Sequence, residues 1–241
     1  MCRKVKHYLQ VTFLLLCSIS IQAQLPAAAE SLAKTEAYYK MAKTLSLQVT
    51  YSMYKGHTGN HLTESYKGTM HRNENVSRIR ILGSEILQFP KVQLTINKDN
   101  KTLVYNKISD QGLKKSPLDI SIFLKYYKET STRVRENMLI HEMVLKNNKM
   151  PIPYNKIVIY INRTNHQLIK QELYLSTKVP FVDENGKSTH DVARMEISFK
   201  HDEKIMNRVP KLNDYVLLES NKKVRLANAY AAYTIIDPTN L

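Results

Sequence analysis

Tryptophan is absent from this 241-residue chain, and glycine, proline and cysteine occur only six, eight and two times. So little glycine and proline excludes a collagen-like chain and a Pro/Gly-rich disordered linker. Two cysteines cannot build a disulfide-dense scaffold or a four-thiolate zinc site. The glycines, Gly56, Gly59, Gly68, Gly83, Gly112 and Gly186, match neither GxGxxG nor GxxxxGKS/T, so both phosphate-cradling loops are missing. HExxH, GxSxG and an EF-hand loop are missing as well. These absences leave no catalytic residue, no metal and no cofactor to expect.

What the chain does have is positive charge. Lys and Arg number 36 against 21 Asp and Glu, a net +15, on a globular background of 43% hydrophobic and 24% charged residues. Such an excess raises nucleic acid, anionic membranes or acidic polymers as partners. The N-terminus redirects that reading. Arg3, Lys4 and Lys6 precede an apolar run from Val11 to Ile21, and Ile21-Gln22-Ala23 reads as a signal-peptide cleavage site. The run is shorter than the roughly 20 residues of a membrane span. Cleavage after Ala23 gives a mature domain, 24–241, in the periplasm. It removes Cys2, Cys17 and three cations, which leaves 33 basic against 21 acidic residues, or +12. Export separates the chain from cytoplasmic nucleic acid, so no nucleic-acid partner is expected. An anionic membrane surface or an envelope protein fits the charge better.

Weaker chemical signals have ordinary readings. His57, His61 and His71 lie close enough in sequence to raise a metal site, but they sit among turn residues with no obvious fourth ligand. Asp183/Glu184 and Asp202/Glu203 are acid pairs at turns or strand ends, where solvated carboxylates are usual. The basic groups Arg78/Arg80, Lys114/Lys115, Arg133/Arg135 and Lys222/Lys223/Arg225 are scattered rather than concentrated on one element.

No linker or repeat interrupts 24–241, which reads as one domain. A helix is predicted over Pro26–Lys43, with Ala28, Leu32, Tyr39 and Ala42 on one stripe and Glu30–Lys34 and Glu36–Lys40 as i,i+4 pairs. The period then drops to two. Leu47, Val49, Tyr51 and Met53 alternate with polar residues in Ser46–Lys55. Leu62–Arg72 follows through Tyr66 and Met70, and Val76–Leu82 sets Ile79 and Ile81 opposite Arg78 and Arg80. Val92, Leu94 and Ile96 alternate, and Lys98–Lys101 turns the chain into Thr102–Asn106. A second helix is predicted over Pro117–Thr130, capped by Ser116, with Leu118, Ile122 and Tyr126 four apart and Phe123 beside them. Strands return at Met138–Leu145, Ile157–Ile161, Gln167–Ser176, Val192–His201 and Val216–Glu219. The segment Asn228–Tyr233 reads equally as helix or strand. About nine strand signals joined by short turns predict an α+β, mainly antiparallel fold: one curved sheet with an N-terminal and a middle helix over its apolar face.

The succession LSLQVTYSMY, ESYKGTMHR, SRIRILGSEILQF and QLTINKDNKTLVYN, continued by IVIYINRTNHQLIKQELYL and ARMEISFKHD, resembles the LolA-like family of periplasmic lipoprotein carriers. The resemblance covers most of 24–241 as a pattern of elements. It implies an incomplete antiparallel barrel closed over by helices, with an apolar concavity for acyl chains. It also implies an Arg-Pro step after the second strand that holds the lid closed; here Arg72 is followed by Asn73. The expected lining is Leu47, Val49, Tyr51, Met53, Tyr66, Met70, Ile79, Ile81, Leu94 and Ile96. The expected lid residues are Leu118, Ile122, Phe123 and Tyr126. The function so implied is a non-enzymatic carrier of lipid or lipoprotein acyl chains in the Gram-negative envelope. The alternative is an adaptor whose edge strands or C-terminal segment, Tyr230–Leu241, dock a protein partner.

Overall fold

The computed structural model describes residues 26–108, 121–147, 149–202, 208–219 and 223–237. The signal segment 1–23 and the predicted Ser116, Pro117 and Leu118 lie outside the described residues, as does the side chain of Ile122.

Helix α1 spans Ala28–Met41, a run rich in Ala, Leu, Lys and Glu that favours helix intrinsically. Its exposed face carries the expected pairs, Lys34–Glu30 at 2.7 Å and Lys40–Glu36 at 2.6 Å. Its buried face is Ala28, Ser31, Leu32, Thr35 and Tyr39. No side chain of its own caps its start. Instead the Ala28 N–H donates to the Glu129 carboxylate at 2.9 Å, which puts a negative charge at the helix N-terminus.

The strands are β1 (Thr44–Lys55), β2 (Leu62–Asn73), β3 (Val76–Ile81), β4 (Ser84–Phe89), β5 (Val92–Asn97) and β6 (Thr102–Lys107). After α2 (Ser121–Tyr126) come β7 (Tyr127–Arg135), β8 (Met138–Leu145), β9 (Tyr154–Asn162), β10 (Leu168–Leu175), β11 (Val179–Val182), β12 (Ser188–Asp191) and β13 (Ala193–His201). The chain closes with β14 (Val216–Leu218), β15 (Val224–Leu226) and β16 (Thr234–Ile236). Twelve of these form one sheet in the order β16-β6-β5-β4-β3-β2-β1-β13-β10-β9-β8-β7. Every pairing in it is antiparallel except β16 on β6. Its two edges do not meet, so the sheet is large and open rather than a closed barrel, as the predicted fold class requires.

The middle helix is shorter than its predicted Pro117–Thr130. It ends at Tyr126, and Tyr127–Arg135 is the edge strand β7, paired with β8 from Tyr127↔Leu145 to Arg135↔Met138. Thr130, Thr132 and Val134 are β-branched and favour the extended chain, and Glu136, at φ +52°, makes the tight turn back. The ambiguous Asn228–Tyr233 holds a single 3-10 turn at Asn228–Tyr230. Strand β4 and the β11/β12 hairpin answer no prediction.

The sheet does not bury one face throughout. Around β1 and β7–β10, α1 and α2 cover a core of Leu32, Tyr39, Leu47, Val49, Met70, Met143, Ile157, Ile159 and Ile161. Around β4–β6 a second core forms from Leu87, Phe89, Leu94, Ile96, Leu103 and Tyr105 under Tyr215, Val216 and Val224 of the C-terminal segment. Register places these two cores on opposite faces. Leu47 stands beside Met70 and Met70 beside Ile79, whereas Leu87 and Leu94 stand in the row of Arg78. Strand β3 is the crossover: Ile79 points to the helix side, and Arg78 and Arg80 point to the tail side.

Candidate functional site

On the helix side, the centre of the sheet carries a continuous apolar tract. One row is Ile81, Gly68, Val49 and Phe199; the next is Tyr66, Tyr51 and Ile197; a third begins with Met53, Met195 and Leu173. Tyr51, Met53, Ile81, Met195, Ile197 and Phe199 are only half-buried, unlike Leu47 at 0% exposure a few ångströms away. Gly68 matters here because a Cβ at this position would lie 2.8 Å from the Arg80 carbonyl, so only glycine lets β3 approach β2 this closely.

Helix α1 is fastened over the adjoining core by several hydrogen bonds, one of them from Gln167 Nε2 to the Tyr38 hydroxyl at 2.7 Å. The Arg72 guanidinium donates to the carbonyls of Tyr39 and Ala42, so a cation closes the C-terminal end of the helix. The Tyr39 hydroxyl accepts the Leu168 N–H at 3.1 Å and shares a second hydrogen bond with His201 Nε2, 2.8 Å away. Burial holds the His201 imidazole down to about 4, in keeping with a neutral ring, and pushes the Tyr39 hydroxyl up. At the other end, Glu129 accepts from Ala28 and lies 3.3 Å from His141 Nδ1. His141 is fully buried, and burial depresses its pKa despite that carboxylate.

The other side of the same central strands is a polar groove of about 980 Å³. Its floor follows from alternation: residues flanking the apolar positions of β1 and β2 point here. Gln48, Thr50, Thr69 and Ser198 form the middle, and Arg80, Lys67, Lys170 and Lys200 stand at the sides, with Lys98 and Arg135 at the rim. Lys170 pairs with Glu172 at 2.9 Å and Glu196 at 3.3 Å. Burial is the largest single influence and opposes charge on both Lys170 and Glu172, but their mutual hydrogen bond and attraction, together with Glu196 beside the lysine and the Tyr174 and Tyr160 hydroxyls on the acid, outweigh it, raising the lysine and lowering the acid.

The structure does not bring the ten expected lining residues together. Leu47, Val49 and Met70 are buried in the helix-covered core, with Tyr51 and Ile79 packed against it. Met53 and Ile81 are half-buried, and Tyr66 is exposed, on the same side. Leu94 and Ile96, both 0% exposed, lie on the opposite face beneath the C-terminal segment. Of the expected lid, Phe123 and Tyr126 pack against the helix-side core. Of the groove's polar residues, Arg80 and Arg135 stood out in the sequence as members of scattered basic groups, and the others did not. Their signal was the polar half of the β1 and β2 alternation, which looks like any solvated strand face.

Other sequence signals separate. His57 Nε2 contacts the Leu175 carbonyl at 2.9 Å, His71 Nδ1 the Ser46 hydroxyl at 3.0 Å, and His61 is exposed. Among the described residues no group of three or more His, Cys, Asp or Glu converges. Asp183 closes the β11/β12 turn by accepting from the N–H groups of Asn185 and Lys187, both at 2.9 Å. Tyr230 and Tyr233 of the expected docking tail pack against the tail-side core.

No protein-family model matches the chain, and no curated protein matches its sequence. Among solved structures it is similar to a conserved uncharacterized protein of Thermus thermophilus, at 14% identity, 77% coverage of this chain, 95% of that one and TM-score 0.41. It is similar to a LolA-superfamily protein of Nitrosomonas europaea, at 11% identity, 76% and 95% coverage and TM-score 0.33. A third is the MucA/MucB complex of Pseudomonas aeruginosa, at 12% identity, 83% of this chain, 63% of that one and TM-score 0.38. At such identities the likeness is one of fold.

Proposed function

We propose that this protein is an exported, non-enzymatic binding protein that holds lipid or lipoprotein acyl chains on the helix side of its sheet, in a Gram-negative envelope. One observation supports this most: the tract of Tyr51, Met53, Ile81, Met195, Ile197 and Phe199, which runs on from a filled core and, among the described residues, stays only half-buried. An acyl chain laid there gains about 0.8 kcal/mol for each methylene removed from water, so transfer needs no chemistry. Helix α1 is the gate in this reading, and Arg72 and Glu129 are its clasps.

The test is native mass spectrometry of the mature protein together with titration by a fluorescent fatty acid. Co-purifying lipid and saturable probe binding are expected. Ile197→Asp, which sets a charge in the middle of the tract, should weaken probe binding by about tenfold or more. A protein that carries no lipid and binds no probe overturns the reading.

A further inference from the structure

Two cross-strand rows define the polar groove on the other side of β1. One runs Arg80, Thr69, Gln48, Lys200 and the other Lys67, Thr50, Ser198, Lys170, each from strand to paired strand. Both rows have the same composition: a cation, two uncharged hydrogen-bonding side chains, a cation. With strands about 4.8 Å apart, the cations of a row start about 14 Å from each other at the backbone. Among the described residues Lys67, Lys98, Arg135 and Lys200 have no carboxylate partner, and Arg80 is 3.5 Å from a Glu85 already held at 2.7 Å by Arg78. Burial, and then the charges of Arg80 and Arg78, keep nearby His71 below its ordinary pKa, against the opposing pull of Asp202.

We propose that this groove binds a polyanionic saccharide, with oxyanions held by Lys67, Lys200 and Arg80 and sugar hydroxyls bonded to Thr50 and Thr69. The middle of the floor is polar in its side chains, with Leu82, Met138 and Ile169 elsewhere in the lining, so an acyl chain or a peptide's apolar anchor laid along it would meet hydroxyls and an amide. Its strands are paired on both sides, so no peptide adds to the sheet there. The cations stand in a concavity that a flat bilayer does not enter. Gln48 already donates to Asp202 and Ser198 to Glu196, both at 3.4 Å, so a sugar chain supplies hydrogen-bonding partners to Thr50 and Thr69 and acids to Lys67 and Lys200.

The source of the acid, carboxylate or phosphate, is settled by titrating the full mature protein with oligogalacturonate and with phosphorylated dextran. Uncharged dextran, poly-L-glutamate and phosphatidylglycerol vesicles complete the series. Binding of at least one acidic saccharide is expected, with affinity falling steeply with salt and at least tenfold weaker binding to poly-glutamate. The double variant Lys67→Gln/Lys200→Gln should lose about tenfold or more, whereas Lys43→Gln/Lys91→Gln should change little. No acidic saccharide binding, equal binding of poly-glutamate, vesicle binding that depends on Lys67 and Lys200, or an unaffected double variant each overturns the proposal. Because the saccharide and poly-glutamate readouts contain no lipid, and vesicle binding counts here only where it depends on Lys67 and Lys200, they stand or fall apart from the acyl-chain reading.

Discussion

The two halves of the sheet bury opposite faces, and they are covered by different kinds of structure. The half around β8–β10 is covered by helix, clamped by a few hydrogen bonds at its ends. The half around β4–β6 is covered by an irregular C-terminal segment that packs ring on ring, with Tyr215 and Tyr230 centroids 5.3 Å apart and Tyr230 and Tyr233 5.1 Å apart. Arg78 joins that cover to the crossover strand, reaching Glu85 at 2.7 Å and the Tyr215 hydroxyl at 2.9 Å. A cover held by polar clasps at its ends can be released locally, whereas a cover of interlocked rings comes away only with its core. Helix α1 also sinks Leu32 and Tyr39 into its core, so the contrast predicts easier release at the ends of the helix than in the tail.

The sharpest way to break this comparison is to hollow each core separately. Leu47→Ala and Leu94→Ala remove side chains that are each 0% exposed and should each cost about 2–5 kcal/mol. Hydrogen exchange should then rise in α1, β1 and β8–β10 for the first and in β4–β6 and the tail for the second. Identical exchange patterns would show one undivided core.

Arg72→Ala comes next. It strips the cation from two helix-end carbonyls and should cost about 1–3 kcal/mol, with α1 exchanging faster and β4–β6 unchanged. Unchanged protection of α1 would mean that the clasp does not hold the helix.

The smallest effect is that of acid. His201 is kept neutral by burial, with its pKa down at about 4 against an unfolded value of about 6.5, so the unfolded chain takes up a proton that the folded chain refuses. The stabilisation is complete above about pH 6.5 and is lost as pH falls toward 4, about 1 kcal/mol for a partly solvated ring. His201→Gln should flatten the fall of Tm over that window, and His141, shifted in the same direction, adds to what remains.

Strands were legible in the sequence because a half-buried sheet writes its period directly, as in Leu47, Val49, Tyr51 and Met53. Which face is buried was not, because alternation carries no sign. The sign passes from strand to strand through turn length. Leu82 and Gly83, at φ +47° and +70°, form a two-residue turn that pairs Ile81 with Ser84 and so sends Leu87 to the far side of the sheet. Read as a turn, Leu82-Gly83 would have separated Leu94 and Ile96 from the other lining residues. Gly83 was the available hint, and Leu82, with no turn propensity, concealed it. The groove was hidden for a related reason: Thr69, Gln48 and Lys200 come from three strands and become a row only through register.

Strand β16 has a consequence for how the molecule is made. It lies parallel to β6, pairing Thr234–Ile236 with Thr102–Val104, although much of the sheet is synthesised between the two. While the chain is incomplete, β6 is therefore a bare edge with an unroofed apolar surface until the C-terminal segment arrives. The helix half can close as soon as β13 reaches β1. Assembly should accordingly finish at the tail half, and the interval before it does is when the newborn chain most needs a chaperone.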